Sequence, residues 1–169
     1  IKVQYDLQVK PGLPNIPKVG MQLGVNTSMN QIDWYGKGPM ENYIDKSYGF
    51  DIGLYHATPN SFIEHYVVPQ ETGNRMDIRW MKLSTNQSMQ QLYIVADSAL
   101  SMSVSPYTDE NIQNAKHTYR LRDAGYLVVN VDLKQMGVGG NDSWSDVAAP
   151  LEKYQIKAKA YQYTFYIVP

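Results

Sequence analysis

The chain has 169 residues, a formal net charge of −1 and no cysteine, enough length to bury roughly 70% of its unfolded surface around one core. Scattered Lys and Arg exclude the electrostatic footprint of a nucleic-acid binder or an anionic membrane surface, and no apolar run reaches bilayer length. The missing cysteines exclude disulfides, thiolate zinc sites and thiol nucleophiles, and they leave the compartment, cytoplasm or periplasm, open.

In chain order, Val3, Tyr5, Leu7 and Val9 alternate with Lys2, Gln4, Asp6 and Gln8, the period of a half-buried strand. The chain opens on Ile with no leader before this strand, from which we expect a piece of a longer protein. Pro11 to Pro17 is a turn-rich break. VGMQLGV (19–25) and QIDWYG (31–36) follow as strands, and GKGPMENY (36–43) is punctuation. FIEHYVV (62–68) reads as extended up to Pro69. In NRMDIRWMKL (74–83), alternation puts Met76, Ile78 and Trp80 on one face, and a self-compensating row of Arg75, Asp77 and Arg79 on the other. LYIVA (92–96), LSMSV (100–104) and YLVVNVDL (126–133) read as central strands, and QIKAKAYQYTFYIV (155–168) as a long closing strand. Thr108 is an N-cap ahead of Asp109 and Glu110, predicting one short helix to about His117. About ten strands joined by short turns, with no repeat, predict a single all-β domain over 1–169, an antiparallel sandwich.

The stretch MGVGGNDSWS (136–145) places a lone indole behind three glycines. It is no phosphate loop, because no Gly-Lys-Ser/Thr follows and no helix begins there. It is no dinucleotide fingerprint, because the βαβ context is missing. Gly139 and Gly140 allow positive φ, and Asn141, Asp142 and Ser143 make local turns that hold Trp144 at a fixed angle. By residue type the indole either plugs the end of the sandwich, the commoner use of a tryptophan, or offers a flat face to a sugar ring.

Glu41, Glu64, Glu71 and Asp142 are the carboxylates to weigh for sugar hydrolysis, which needs a pair with opposed pKa shifts. None sits in a sequence setting that separates two pKa values, so they read as solvated or ion-paired acids, with Glu71 a partner for Arg75 or Arg79. His56, His65 and His117 are too widely spaced to suggest a metal site. No G-x-S-x-G elbow marks a nucleophile.

Three segments together resemble one family. WYGKGPMENYIDK (34–46) is similar to the signature W-x-G-x-G-P-x-E-x-Y-x-D-R, YVVPQETGNRMDIRW (66–80) to P-Q-E-x-G-N-R-x-D-x-R-W, and QMGVGGNDSWS (135–145) to M-G-V-G-G-D-D-S-W. In this order they resemble the C-terminal domain of large bacterial β-galactosidases of glycoside hydrolase family 2, from about residue 18 onward. Asn141 stands where the family has an aspartate. Lys46 stands where it has an arginine, which loosens any bidentate pairing with Asp45 or another acid.

The resemblance implies a galactose mutarotase-like β-supersandwich, here an incomplete C-terminal fragment with strands missing upstream. It implies a parent that hydrolyses terminal β-D-galactosides such as lactose with retention, its catalytic glutamates, Mg and monovalent cation all in a barrel outside this chain. No catalytic residue, metal ligand or cofactor is expected here. The partners expected are the galactoside, the parent's own barrel and further copies of the chain, with no nucleic acid and no membrane. The motif's tryptophan reaches the barrel's active site as a sugar platform, and Trp144 occupies that position, with Asp142 and Asn141 beside it and Gly139, Gly140 and Ser143 supporting the loop. Two rival readings are a freestanding carbohydrate-binding module with Trp144, Trp34 and Tyr35 as its platform, and an aldose 1-epimerase using His65 with Glu64 or Glu71. If strands are missing, bare sheet edges are expected to pair between copies.

Overall fold

The computed structural model describes residues 1–10, 12–86, 89–140 and 148–169. Eight strands are described: β1 (Lys2–Leu7), β2 (Lys18–Val25), β3 (Gln31–Gly38), β4 (Asp51–Ala57), β5 (Arg75–Ser84), β6 (Gln91–Ser105), β7 (Leu127–Gln135) and β8 (Tyr161–Val168). Two short helices, α1 (Pro59–Phe62) and α2 (Asp109–Asn114), lie between them. All pairings are antiparallel, in the order β1-β8-β6-β5-β3-β4, and β7 branches from β6 to carry β2. The two arms bury one common core, which joins Ile32, Met81, Ile94 and Phe165 to Val25, Val129 and Val131. The molecule is an all-β antiparallel sandwich.

The half-buried alternation of β1 is present as read: Val3, Tyr5 and Leu7 are half-buried, and Lys2, Gln4 and Asp6 are exposed. The segments 92–96 and 100–104, expected as two strands, are one strand of 15 residues. The first half of β6 pairs with β8 and the second half with β7. The segment 62–68, expected to be extended, forms no sheet strand; Phe62 is helical and Ile63 returns to extended backbone. Thr58 forms a capping box with Ser61, and Pro59 stands at the helix start, so the chain turns helical through Phe62. The closing strand begins only at Tyr161, after a 3-10 turn at Glu152–Tyr154 and an isolated bridge from Ile16 to Ile156. Helix α2 is capped by Thr108 as expected, its side chain accepting from the Asn111 amide, but it ends at Asn114, short of His117.

Strand β5 departs from its alternation. Two register shifts flank Ile78, and Asp77 sits at φ 54, so the strand bulges. Ile78, Met81 and Leu83 then face the core, while Trp80 lies half-buried opposite Tyr35. Arg75 turns inward instead of outward and is 2% exposed. Its guanidinium lies over the rings of Phe62 and Trp34, at 4.2 and 5.6 Å, and donates to the carbonyls of Pro39 (3.1 Å) and Phe62 (2.8 Å). Asp77 pairs with Lys37 at 3.4 Å.

Residues 127–132 of β7 and 100–105 of β6 are buried on both faces, whereas β2 beside them keeps Gln22 and Gly24 exposed. Leu100, Met102 and Val104 with Leu127, Val129 and Val131 supply the apolar face. The opposite face carries Ser101, Ser103, Ser105, Asn130 and Asp132, all buried. A hydrogen-bond row crosses three strands there, Gln22 donating to Asn130 (3.0 Å) and Asn130 to Ser103 (2.9 Å). Burial pushes the Asp132 carboxyl up to about 7, with Lys18 opposing the rise and Glu71 and Asp109 adding to it. Glu71, which pairs with Lys18 at 3.4 Å and not with Arg75 or Arg79, is raised for the same reason.

This face makes stability depend on pH. The folded-state value for Asp132 lies above the ordinary carboxylate value of 3.8, so between the two the folded protein holds a proton that the unfolded chain has released, and stability falls as pH rises through that window. Asp132→Asn is therefore expected to raise the melting temperature increasingly as pH climbs from roughly 4 to roughly 8, with little gain at the acid end. Thermal unfolding of both proteins across that range checks it; an equal gain at every pH would contradict it.

Candidate functional site

The three sequence segments that carried the resemblance meet in space. Glu41, in the turn after β3, is 2% exposed. Its carboxylate accepts hydrogen bonds from the Thr72 hydroxyl (2.9 Å), the Gly73 amide (2.8 Å), the Lys46 ammonium (3.1 Å) and the Tyr66 hydroxyl. Burial alone would raise this carboxyl, but the four donors outweigh it and hold the group below the ordinary glutamate range. The acid that Lys46 serves is thus Glu41, and a lysine suffices because the three other donors complete the shell.

Asn42 and Asn74 make the second tie. The Asn42 amide donates to the Asn74 carbonyl (2.8 Å), the Asn74 side chain returns a bond to the Asn42 carbonyl (2.7 Å), and the Met76 amide donates to Asn42 Oδ1 (2.8 Å). Segments 41–46 and 66–76 therefore fold as one unit in front of the sandwich.

Asp45 extends this unit to the glycine-rich loop. Its carboxylate accepts from the amides of Val138 (3.1 Å) and Gly139 (2.8 Å), a two-pronged grip on the backbone. A Cβ on Gly137 would stand 2.5 Å from Asp45 Oδ2, and one on Gly139 would stand 1.8 Å from the Ala148 carbonyl oxygen, so both glycines are demanded by close approach. Gly139 also takes φ 71. The Gly137 amide bonds the Tyr154 carbonyl at 2.9 Å, and the Gly140 amide bonds the Ala148 carbonyl at 3.2 Å. Residues 137–140 and 148 thus form a fixed neck. Of the expected site residues, Gly139 and Gly140 are in this neck, whereas Asn141, Asp142, Ser143 and Trp144 lie outside the described residues. Sequence reasoning missed the grip of Asp45, because a carboxylate bonding to backbone amides ninety residues away leaves no pattern of charges to read.

The rival constellations fare worse. Trp34, proposed with Tyr35 as a sugar platform, is 1% exposed. Its indole packs edge-on to Phe62 and donates to the Lys37 carbonyl, so it belongs to the core. His65 is exposed and makes no hydrogen bond or ion pair with Glu64 or Glu71 among the described residues. The expectation that no two acids have separated pKa values does not survive: Glu41 is lowered while Glu71, which feels its charge, is raised. Yet Glu41 is enclosed by its own donors and presents no oxygen for chemistry. Among the described residues, no three His, Asp or Glu side chains gather to hold a metal ion.

Replacing Glu41 by Gln leaves a donor amide facing donors. A loss of about 3 kcal/mol is expected, measured by chemical denaturation at neutral pH. Because the folded-state value is depressed, the native contribution is present above the ordinary glutamate range and lost as pH falls through that value, so the gap between the two proteins should narrow on acidification. Asp45→Ala should speed hydrogen exchange at the Val138 and Gly139 amides by about tenfold or more while leaving the core amides protected.

Comparisons with known proteins give the family of the chain. The family described as beta galactosidase small chain matches residues 1–167. A beta-galactosidase of Priestia megaterium is 32% identical over 170 residues, covering 100% of this chain and 16% of the relative. One of Halalkalibacterium halodurans is 33% identical over 162 residues, covering 94% and 16%. One of Streptococcus thermophilus is 32% identical over 162 residues, covering 95% and 16%. The chain thus spans about one sixth of the length of these relatives. With a family match from end to end, the chain belongs to the beta galactosidase small chain family.

Proposed function

We propose that these 169 residues are a single, non-catalytic, C-terminal domain of a larger retaining β-galactosidase, and that Trp144 carries the contact with substrate. The observation that supports this most is the neck at Gly137–Gly140 and Ala148, held by Asp45 and through it by the Glu41 junction. A rigid neck under a loop bearing one indole is what a sugar platform needs, because stacking gains little if the ring must first be ordered. Hydrolysis of the galactosidic bond, lactose included, falls to a pair of glutamates in a barrel elsewhere in the parent chain. The magnesium and monovalent ions belong there as well. This chain closes one side of the cleft and receives the aglycone.

The platform acts on binding more than on bond breaking. Trp144→Ala in the full-length enzyme is expected to raise KM for lactose and weaken acceptor sugars by about 5- to 30-fold, from the roughly 1–2 kcal/mol of a stacked ring, while kcat for an activated aryl galactoside changes little. Steady-state kinetics on both substrates checks this. A loss of kcat with unchanged KM would refute the assignment, as would turnover of a chromogenic β-galactoside by the 169-residue chain alone.

A further inference from the structure

The polar face of the β2-β7-β6 arm does not lie against packed side chains. Between it and the segment 69–72 with helix α2 is a cleft of about 340 Å³, within the size range of small-ligand sites. Its floor is Ser103, Ser105 and Asn130, exposed by only 4%, 7% and 6%. Polar groups this deep are ordinarily used up by partners. Here each serine oxygen accepts one bond, from Asn130 and from the Tyr107 amide, and among the described residues neither hydroxyl proton is given to an acceptor.

The walls complement that floor. Glu71 uses one carboxylate oxygen on Lys18, and Asp109 uses one on Gln22, which leaves a second acceptor on each. Gln113 contributes an exposed amide that both donates and accepts. Pro69 and Ile112 add a small apolar surface. Behind the cleft, two residues along the same face from Asn130, Asp132 is 2% exposed, and no described group donates a hydrogen bond to it. Donors, acceptors and a strip of apolar surface around a space this size match a molecule whose groups each donate and accept.

We propose that this cleft binds a small, uncharged, polyhydroxylated molecule about the size of one sugar ring, its hydroxyls on the Ser103 and Ser105 protons and the free oxygens of Glu71 and Asp109, and its C–H face on Pro69 and Ile112. The site shares no lining residue with the neck at Gly137–Gly140 and stands without the galactosidase reading. It rests on the cleft and on the unused hydrogen-bonding capacity of its buried floor.

The test is a ligand-observed NMR titration of the full chain with D-galactose, with glycerol as a smaller polyol and D-galactosamine as a cationic probe. Saturable millimolar binding of galactose is expected. It should weaken about tenfold in Ser103→Ala/Ser105→Ala, which removes the two hydroxyl donors. It should be abolished in Gln113→Trp, which fills the mouth from an exposed helical position and leaves the floor intact, and it should be unchanged in Trp144→Ala. Binding that survives Gln113→Trp but is lost in Trp144→Ala would place the sugar on the loop and overturn the proposal. Absence of saturable galactose binding overturns it too, as does binding of galactosamine alone, which would show a site for cations. Circular dichroism on each variant separates loss of binding from loss of fold.

Discussion

The Glu41 carboxylate is the constraint on which the front of this molecule depends. A charge removed from water costs several kcal/mol unless its hydrogen bonds are replaced, and here four donors from three stretches of chain replace them. Each donor is thereby committed to one position. Thr72 and Gly73 fix the approach to β5, Tyr66 pins a segment that has no ladder of its own, and Lys46 closes the turn that carries Asp45. The same carboxylate that looks like a candidate for chemistry is thus a knot in the backbone.

Much of the sandwich was legible in the residues. Strand β1 kept its period-two pattern, β2, β3 and β7 lay on the segments read as strands, and Thr108 capped α2. The failures have local causes. Strand β4 was overlooked because its outward positions Ile52 and Leu54 are apolar and exposed while Gly53 faces inward, which erases the alternation. The capping box at Thr58 and Ser61 claims only Phe62 for the helix; Ile63 is back in extended backbone, but the run after it joins no sheet. In β5 the two register shifts that flank Ile78, with Asp77 at φ 54, break the alternation, and Arg75, expected at the surface, lies buried, held by rings and carbonyls.

The candidate site was legible in a different way. Its three motifs were visible one by one, but their union was not, since Asp45 meets Val138 and Gly139 only after the sandwich has formed. Sequence reasoning set Lys46 beside Asp45 or another acid and Glu71 beside Arg75 or Arg79; in the structure Asp45 holds backbone amides, Lys46 joins the other acid, Glu41, and Glu71 reaches back to Lys18. Backbone amides are acceptors' partners of every sequence, so composition cannot announce them.

Strand β8 is inserted between β1 and β6, and Lys2 lies in register with Tyr166. Of the described strands, β1 comes earliest in this chain and pairs only with β8, which comes latest. Closing a loop of that span costs entropy that only the finished sheet can repay. During synthesis the half-apolar β1 must wait unpaired, and the exposed Lys2, Gln4 and Asp6 along it are the charges and amides that keep a waiting edge from sticking to its neighbours on a polysome.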